Sequence, residues 1–82
     1  MISVNVKFFA ITRDIVGKDE EVRSLPTQSS ASSLIDALIT EYPKMKEWKD
    51  HLRLAVNREY VPPNYPLHDN DEVAVIPPVS GG

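Results

Sequence analysis

Asp71-Glu72-Val73-Ala74-Val75-Ile76-Pro77-Pro78-Val79-Ser80-Gly81-Gly82 is the stretch on which the fold turns. Its first half reads as a buried β-strand entered through a polar turn. A core strand ordinarily runs on into a turn, a helix or a ragged polar end. This one runs into two prolines and then Gly-Gly. Proline fixes φ and favours extended polyproline II geometry, so a stiff exit is expected. The glycines carry no side chain and can thread a narrow pocket. At ~3.3–3.6 Å per residue the six residues after Ile76 reach at most about 20 Å. A frayed terminus has similar composition, so the rest of the chain must decide between the two.

Working outward, Ile2-Ser3-Val4-Asn5-Val6-Lys7-Phe8 alternates with period two, putting Ile2, Val4, Val6 and Phe8 on an inner face. Phe9 falls on the outer face, where an aromatic costs solubility unless something covers it. Residues 11–18 read as a loop or short helical turn ended by Gly17, and Glu20–Leu25 as a second strand closed by Pro26. Residues 27–30 offer capping hydroxyls. Ala31, Leu34, Ile35, Leu38 and Tyr42 then form one stripe at helical spacing, which Pro43 stops. Lys44 to His51 reads as a short helix or turn, with Trp48 plugging the core beneath a loop. Leu52-Arg53-Leu54-Ala55-Val56 is a third strand with Leu52, Leu54 and Val56 inward. Asn57-Arg58 turns it into Glu59-Tyr60-Val61. Proline lacks the ladder donor, so Pro62–Pro66 is a loop that Leu67 pins to the core. Asn70 suits a left-handed turn position.

The order strand, strand, helix, strand, short strand, strand predicts an α+β domain over residues 1–76, with an extended tail at 77–82. The simplest packing is one sheet covered on one face by the main helix. Phe9, Ala55 and Ile76, with Tyr60 near by, are expected on the uncovered face.

At 82 residues the chain is one small domain. Twelve acidic against nine basic residues give a net charge of −3, which argues against nucleic acid. No apolar run approaches the ~20 residues of a membrane span, and no leader opens the chain, so a cytoplasmic setting is expected. There is no cysteine, which removes disulfides, thiolate metal sites and cysteine nucleophiles. His51 and His68 have no partner at metal-ligand spacing, so no metal site is expected. Asp69, Asp71 and Glu72 read as a solvated turn. Nothing arranges a side-chain nucleophile or a phosphate loop. The uncovered face and the Gly-Gly tail are what remain, and both suit a protein handled by others.

At these residues the chain resembles a family. The tail Pro-Pro-Val-Ser-Gly-Gly, the opening Val6-Lys7-Phe8-Phe9-Ala10 with Arg13 to Gly17, and Leu54-Ala55-Val56-Asn57 with Tyr60-Val61 are similar to the small, sulfur-carrying subunits of molybdopterin synthase. The likeness spans essentially the whole chain and is weakest from Gln28 to His51. Asn70 stands where the family often has glycine, and the Pro62–Pro66 loop departs from its pattern.

The resemblance implies a ubiquitin-like β-grasp, a mixed sheet packed on one main helix. It implies a carrier rather than a catalyst, with no bound cofactor. A ubiquitin-activating-type enzyme would use ATP to adenylate Gly82, and a sulfur donor would convert it to a thiocarboxylate. The large synthase subunit, two copies with two of this chain, would pass that sulfur to cyclic pyranopterin monophosphate. Gly81, Ser80, Val79, Pro78 and Pro77 would thread and guide the tail, and Phe9, Tyr60 and Ile76 would dock on the large subunit. Related carriers for thiamin synthesis or tRNA thiolation, and protein modifiers joined through Gly82, are the alternatives.

Overall fold

The computed structural model describes residues 1–78, so Val79, Ser80, Gly81 and Gly82 lie outside the described residues. The alternation at the start of the chain produces strand β1 (Ile2–Phe8), whose Ile2, Val4, Val6 and Phe8 are all buried. A single helical segment, α1 (Ile11–Val16), follows and is closed by Gly17 in the left-handed region at φ 85°. Strand β2 (Glu20–Leu25) returns antiparallel along β1. The main helix α2 (Ala31–Glu41) then buries Ala31, Leu34 and Leu38, the inner part of the predicted stripe. Strands β3 (Arg53–Val56) and β4 (Glu59–Val61) form a hairpin, and β5 (Glu72–Ile76) completes the sheet.

The sheet order is β2-β1-β5-β3-β4. The first and last strands are parallel, Val6 beside Val73 and Phe8 beside Val75, and every other pairing is antiparallel. The inward rows of β1, β3 and β5 meet α2, Met45 and Leu67 in one core. The β3–β4 hairpin turns through Asn57 and Arg58, both at positive φ (51° and 75°). That is the mark of the type I′ turn, whose twist matches that of the flanking strands.

Helix α2 leaves no free donor at its start. Ser30 caps it, its hydroxyl accepting from the Ser33 amide while the Ser33 hydroxyl accepts from the Ser30 amide. The Ala31 and Ser32 amides donate to the carbonyls of Tyr65 and Pro63 at 2.9 and 2.8 Å, and the Leu34 amide to the Ser30 carbonyl at 3.1 Å. The four amides that a helix start leaves orphaned are thus all paired. This gives the Pro62–Pro66 loop its role. Tyr65 and Pro63 contribute the acceptors, the latter without a competing donor, and the loop docks on the helix N-terminus.

Pro43 ends α2 as expected and opens a 3₁₀ segment, Pro43–His51. The plug in this segment is Met45, which is fully buried, and not Trp48, which is half-buried beside Ile11 and Ile15. Met is unbranched and fills irregular gaps, whereas a bulky indole fits an open hollow better. The acidic turn is also different from expectation. Asp71 is buried, accepting from the Asn57 side chain at 3.0 Å and the His68 amide at 2.8 Å, and Asp69 accepts from the Ser3 amide at 2.7 Å. These acids are acceptors that hold the turn at positive-φ Asn70, and are not simply solvated.

Edge strand β2 turns Glu21 and Arg23 toward the helix side, in register with Val6 and Val4. Arg23 contacts Glu21 at 2.8 Å and Glu41 at 2.9 Å, Lys18 contacts Glu21 at 3.3 Å, and the Tyr42 hydroxyl donates to Glu21 at 3.1 Å. Burial, and after it the Glu41 and Glu21 carboxylates, push the Tyr42 phenol up to about 12. A raised pKa stabilises the fold fully below the ordinary value of 10.0 and is lost as pH rises through about 12. Alkaline unfolding is therefore expected to steepen between those values, with a tyrosinate absorbance step near 12. Tyr42→Phe should lack that step and show a flatter stability profile in the same window. Independently, Ser30→Ala should lower stability by about 1 kcal/mol in chemical denaturation, by loss of the cap.

Candidate functional site

Because β1 and β5 run parallel, their C-terminal ends lie side by side on one rim. The register pairs Lys7 with Ala74 and Phe8 with Val75, and its continuation sets Phe9 level with Ile76. Across β5, Ile76 faces Arg53 and Ala74 faces Ala55, and Ala55 in turn faces Tyr60. Phe9, Ile76, Arg53 and Tyr60 therefore form one continuous surface on the side of the sheet away from α2. Phe9 is 47% and Tyr60 60% exposed, and Ile76 is half-buried.

The face is smaller and less uniformly apolar than the sequence suggests. Ala55 does lie on it, but is only 7% exposed, being a short side chain between Ala74 and the larger Tyr60. The Arg53 guanidinium sits over the Tyr60 ring, 4.8 Å from its centroid, in cation–π geometry. Toward β2 the surface turns polar, with Lys7 and Glu72 in an ion pair at 3.1 Å. Arg53 was legible as an outward residue by alternation with Leu52 and Leu54. What alternation does not reveal is that it lands in the middle of the patch.

Thr12 is fully buried at the rim itself. Its hydroxyl donates to the Phe9 carbonyl at 2.6 Å, has the Val75 carbonyl at 3.5 Å, and accepts from the Phe9 amide at 3.0 Å. The Thr12 amide also donates to Phe9 at 3.1 Å, closing a turn in which Ala10 takes φ 52° and ψ −127°. That is the first central position of a type II′ turn, where glycine is preferred. An alanine held there carries strain of about 1–3 kcal/mol that its surroundings must support. The chain leaves β1 abruptly, and Phe9 is left at the surface beside β5. No sequence signal marks Thr12, since a lone threonine in a loop is ordinary.

Strand β5 ends at Ile76. Pro77 is still buried and Pro78 is exposed, so packing continues one residue past the strand before the chain leaves the body. The expected threading residues Val79, Ser80 and Gly81 and the expected reactive Gly82 lie outside the described residues. Among the described residues, no three His, Cys, Asp or Glu side chains converge as a metal site would require, and no helix is long and apolar enough to cross a membrane. The hollows beside α1 and α2 are open, one lined by Ile11, Ile15, Lys44 and Trp48 and another by Ile35, Asp36, Lys49 and Leu52, so the outer face and the tail exit together are the candidate site.

Comparison with known proteins points the same way. The model of the ThiS family matches residues 6–82. A molybdopterin synthase sulfur carrier subunit from Caenorhabditis briggsae is 37% identical over 84 residues, covering 100% of both chains. A Pyrococcus furiosus protein assigned as molybdopterin converting factor subunit 1 superposes with a TM-score of 0.87 at 34% identity, covering 96% of this chain and 100% of that one. A chain in the Helicobacter pylori complex of subunits 1 and 2 of molybdopterin-converting factor does so at 0.69 and 27%, covering 99% and 100%. The mixed sheet over one main helix is the ubiquitin-like β-grasp.

The rim geometry makes a separable prediction. Thr12→Val keeps shape but leaves the Phe9 amide without its acceptor, and should cost about 1–3 kcal/mol in denaturant unfolding. Thr12→Ser, which keeps the hydroxyl, should cost clearly less.

Proposed function

The chain belongs to the ThiS family, and from that premise we propose that it is the sulfur-carrier subunit of a molybdopterin synthase, acting in the cytoplasm. The full-length likeness to sulfur carrier subunits, which extends through Gly82, carries this reading. The geometry supports it, since β5 aims the tail off the same rim that displays Phe9 and Ile76.

A carboxylate is a poor acyl donor, because its delocalised charge deters a nucleophile and leaves oxide as the group to expel. Adenylation removes both obstacles. A Gly82 carboxylate oxygen attacks the α-phosphate of ATP on a ubiquitin-activating-type enzyme, pyrophosphate leaves, and the acyl-adenylate forms. A donor's sulfur, at the oxidation level of sulfide, then adds to the Gly82 carbonyl and expels AMP, leaving a thiocarboxylate. This chain supplies no side chain to these steps. It contributes a terminus narrow enough to enter two active sites in turn and a body that docks outside them. In our reading Pro77 anchors the base of the tail, Pro78 stiffens its exit, Val79 and Ser80 continue it, and Gly81 gives the unbranched approach.

Docking uses Phe9, Tyr60 and Ile76 on the large synthase subunit, with two copies of each subunit in the assembly. There the sulfur passes to cyclic pyranopterin monophosphate. A dithiolene holds two sulfurs and each thiocarboxylate delivers one, so two charged tails are consumed per product.

With adenylating enzyme, ATP and a sulfide source, intact-mass analysis should show one sulfur-for-oxygen exchange, located at Gly82 by fragmentation. A chain lacking Gly82 should keep the same unfolding midpoint yet support no molybdopterin formation. Full activity of that shortened chain would refute the reading. A chain that takes up sulfur but does not bind the large subunit would belong to another sulfur-transfer pathway.

A further inference from the structure

Arg53 lies in the centre of the proposed docking face, and the proposed function gives it no part. It is exposed, sits opposite Ile76 in the sheet, and stacks its guanidinium on Tyr60 at 4.8 Å from the ring centroid. The other cation on this side of the sheet, Lys7, is already paired with Glu72 at 3.1 Å. Among the described residues no carboxylate forms an ion pair with Arg53, and no acceptor takes a hydrogen bond from its side chain. In the free protein these exposed donors are open to water.

Docking removes that water. A guanidinium cannot shed its proton in a protein, so once covered it must meet acceptors or oppose association. The Tyr60 ring already occupies one face of the guanidinium plane and holds it in position. What remains available is the edge of the fork, whose geometry matches a carboxylate bidentately.

We propose that the large synthase subunit presents an aspartate or glutamate to Arg53, bordered by the apolar contacts of Phe9, Ile76 and Tyr60, and that this pair selects the partner. The proposal rests on the sulfur-carrier reading above. Charge complementarity favours this occupant over a second copy of the chain. A symmetric self-contact through this face would bring the two Arg53 guanidinium groups toward each other, and the outward acid of β5, Glu72, is already engaged by Lys7.

The test is titration calorimetry of the full chain with the large subunit, using wild type, Arg53→Met, Arg53→Lys and Phe9→Ala at low and moderate salt. Arg53→Met should weaken binding by roughly 30-fold or more, because it strands the partner's acid. Arg53→Lys, which keeps charge without the fork, should lose clearly less, and salt should weaken wild type more than Arg53→Met. Thermal unfolding checks that the variants fold, as an exposed residue permits. Equal or tighter binding by Arg53→Met, or equal losses for Met and Lys, would overturn the proposal while leaving the sulfur-carrier reading intact. If neither wild type nor any variant binds the large subunit, the carrier reading itself fails and this proposal falls with it. Phe9→Ala separates the two contributions, since its loss should be insensitive to salt.

Discussion

Two strands from opposite ends of the sequence meet side by side in the middle of the sheet, Val6 against Val73 and Phe8 against Val75, all four buried. This parallel pairing is the contact on which the rest depends. Parallel neighbours cannot be joined by a tight turn and need a long crossover, and everything from β2 to β4 lies within that connection. Being parallel, the two strands also finish on the same rim. Phe9 and Ile76, far apart in the chain, become neighbours there, and the chain continues from β5 into Pro77 at the same rim. The proposed docking surface and the base of the tail are thus products of one pairing.

The crossover is held by polar contacts at places where apolar packing cannot reach. The Pro62–Pro66 loop supplies carbonyls to the start of α2, and Ser30 and Ser33 complete the cap. Asp71 gathers the Asn57 side chain and the His68 amide just before β5 begins, so the last strand enters in register. Glu21, Arg23 and Glu41 tie the outer strand to the end of α2. Charges turned inward along an edge strand also discourage pairing with another chain. A domain of this size without a disulfide depends on such contacts being satisfied, and no buried side-chain donor or acceptor among the described residues lacks a partner.

Much of this is written in local patterns. The inward rows Ile2, Val4, Val6 and Phe8, and Leu54 and Val56, follow from strict alternation. The stripe from Ala31, the stop at Pro43 and the positive φ of Asn70 follow from helix and turn chemistry. In β2 the same reasoning has no purchase, because Glu21, Arg23 and Leu25 alternate with Glu20, Val22 and Ser24, and both rows are mixed. Only pairing with β1 decides that Val22 faces outward, at 74% exposure. Met45 and Trp48 show a similar limit, since both are large and apolar and the shape of the gap chooses between them. The candidate face was legible in Phe9, Tyr60 and Ile76. The central place of Arg53 on it, and the part played by Thr12, were not, because both come from neighbours contributed by distant strands.

In the proposed reaction the body presented by the β1–β5 rim docks while Gly82 delivers sulfur to a molybdopterin precursor. The most direct measurement is a single turnover with purified chain charged as the thiocarboxylate, the large subunit and cyclic pyranopterin monophosphate, without ATP or further sulfur donor. The account predicts that molybdopterin appears as Gly82 reverts from thiocarboxylate to carboxylate, with two chains consumed for each molecule formed. Retention of the thiocarboxylate while the precursor remains unchanged, in a mixture where the two subunits are bound, would contradict it.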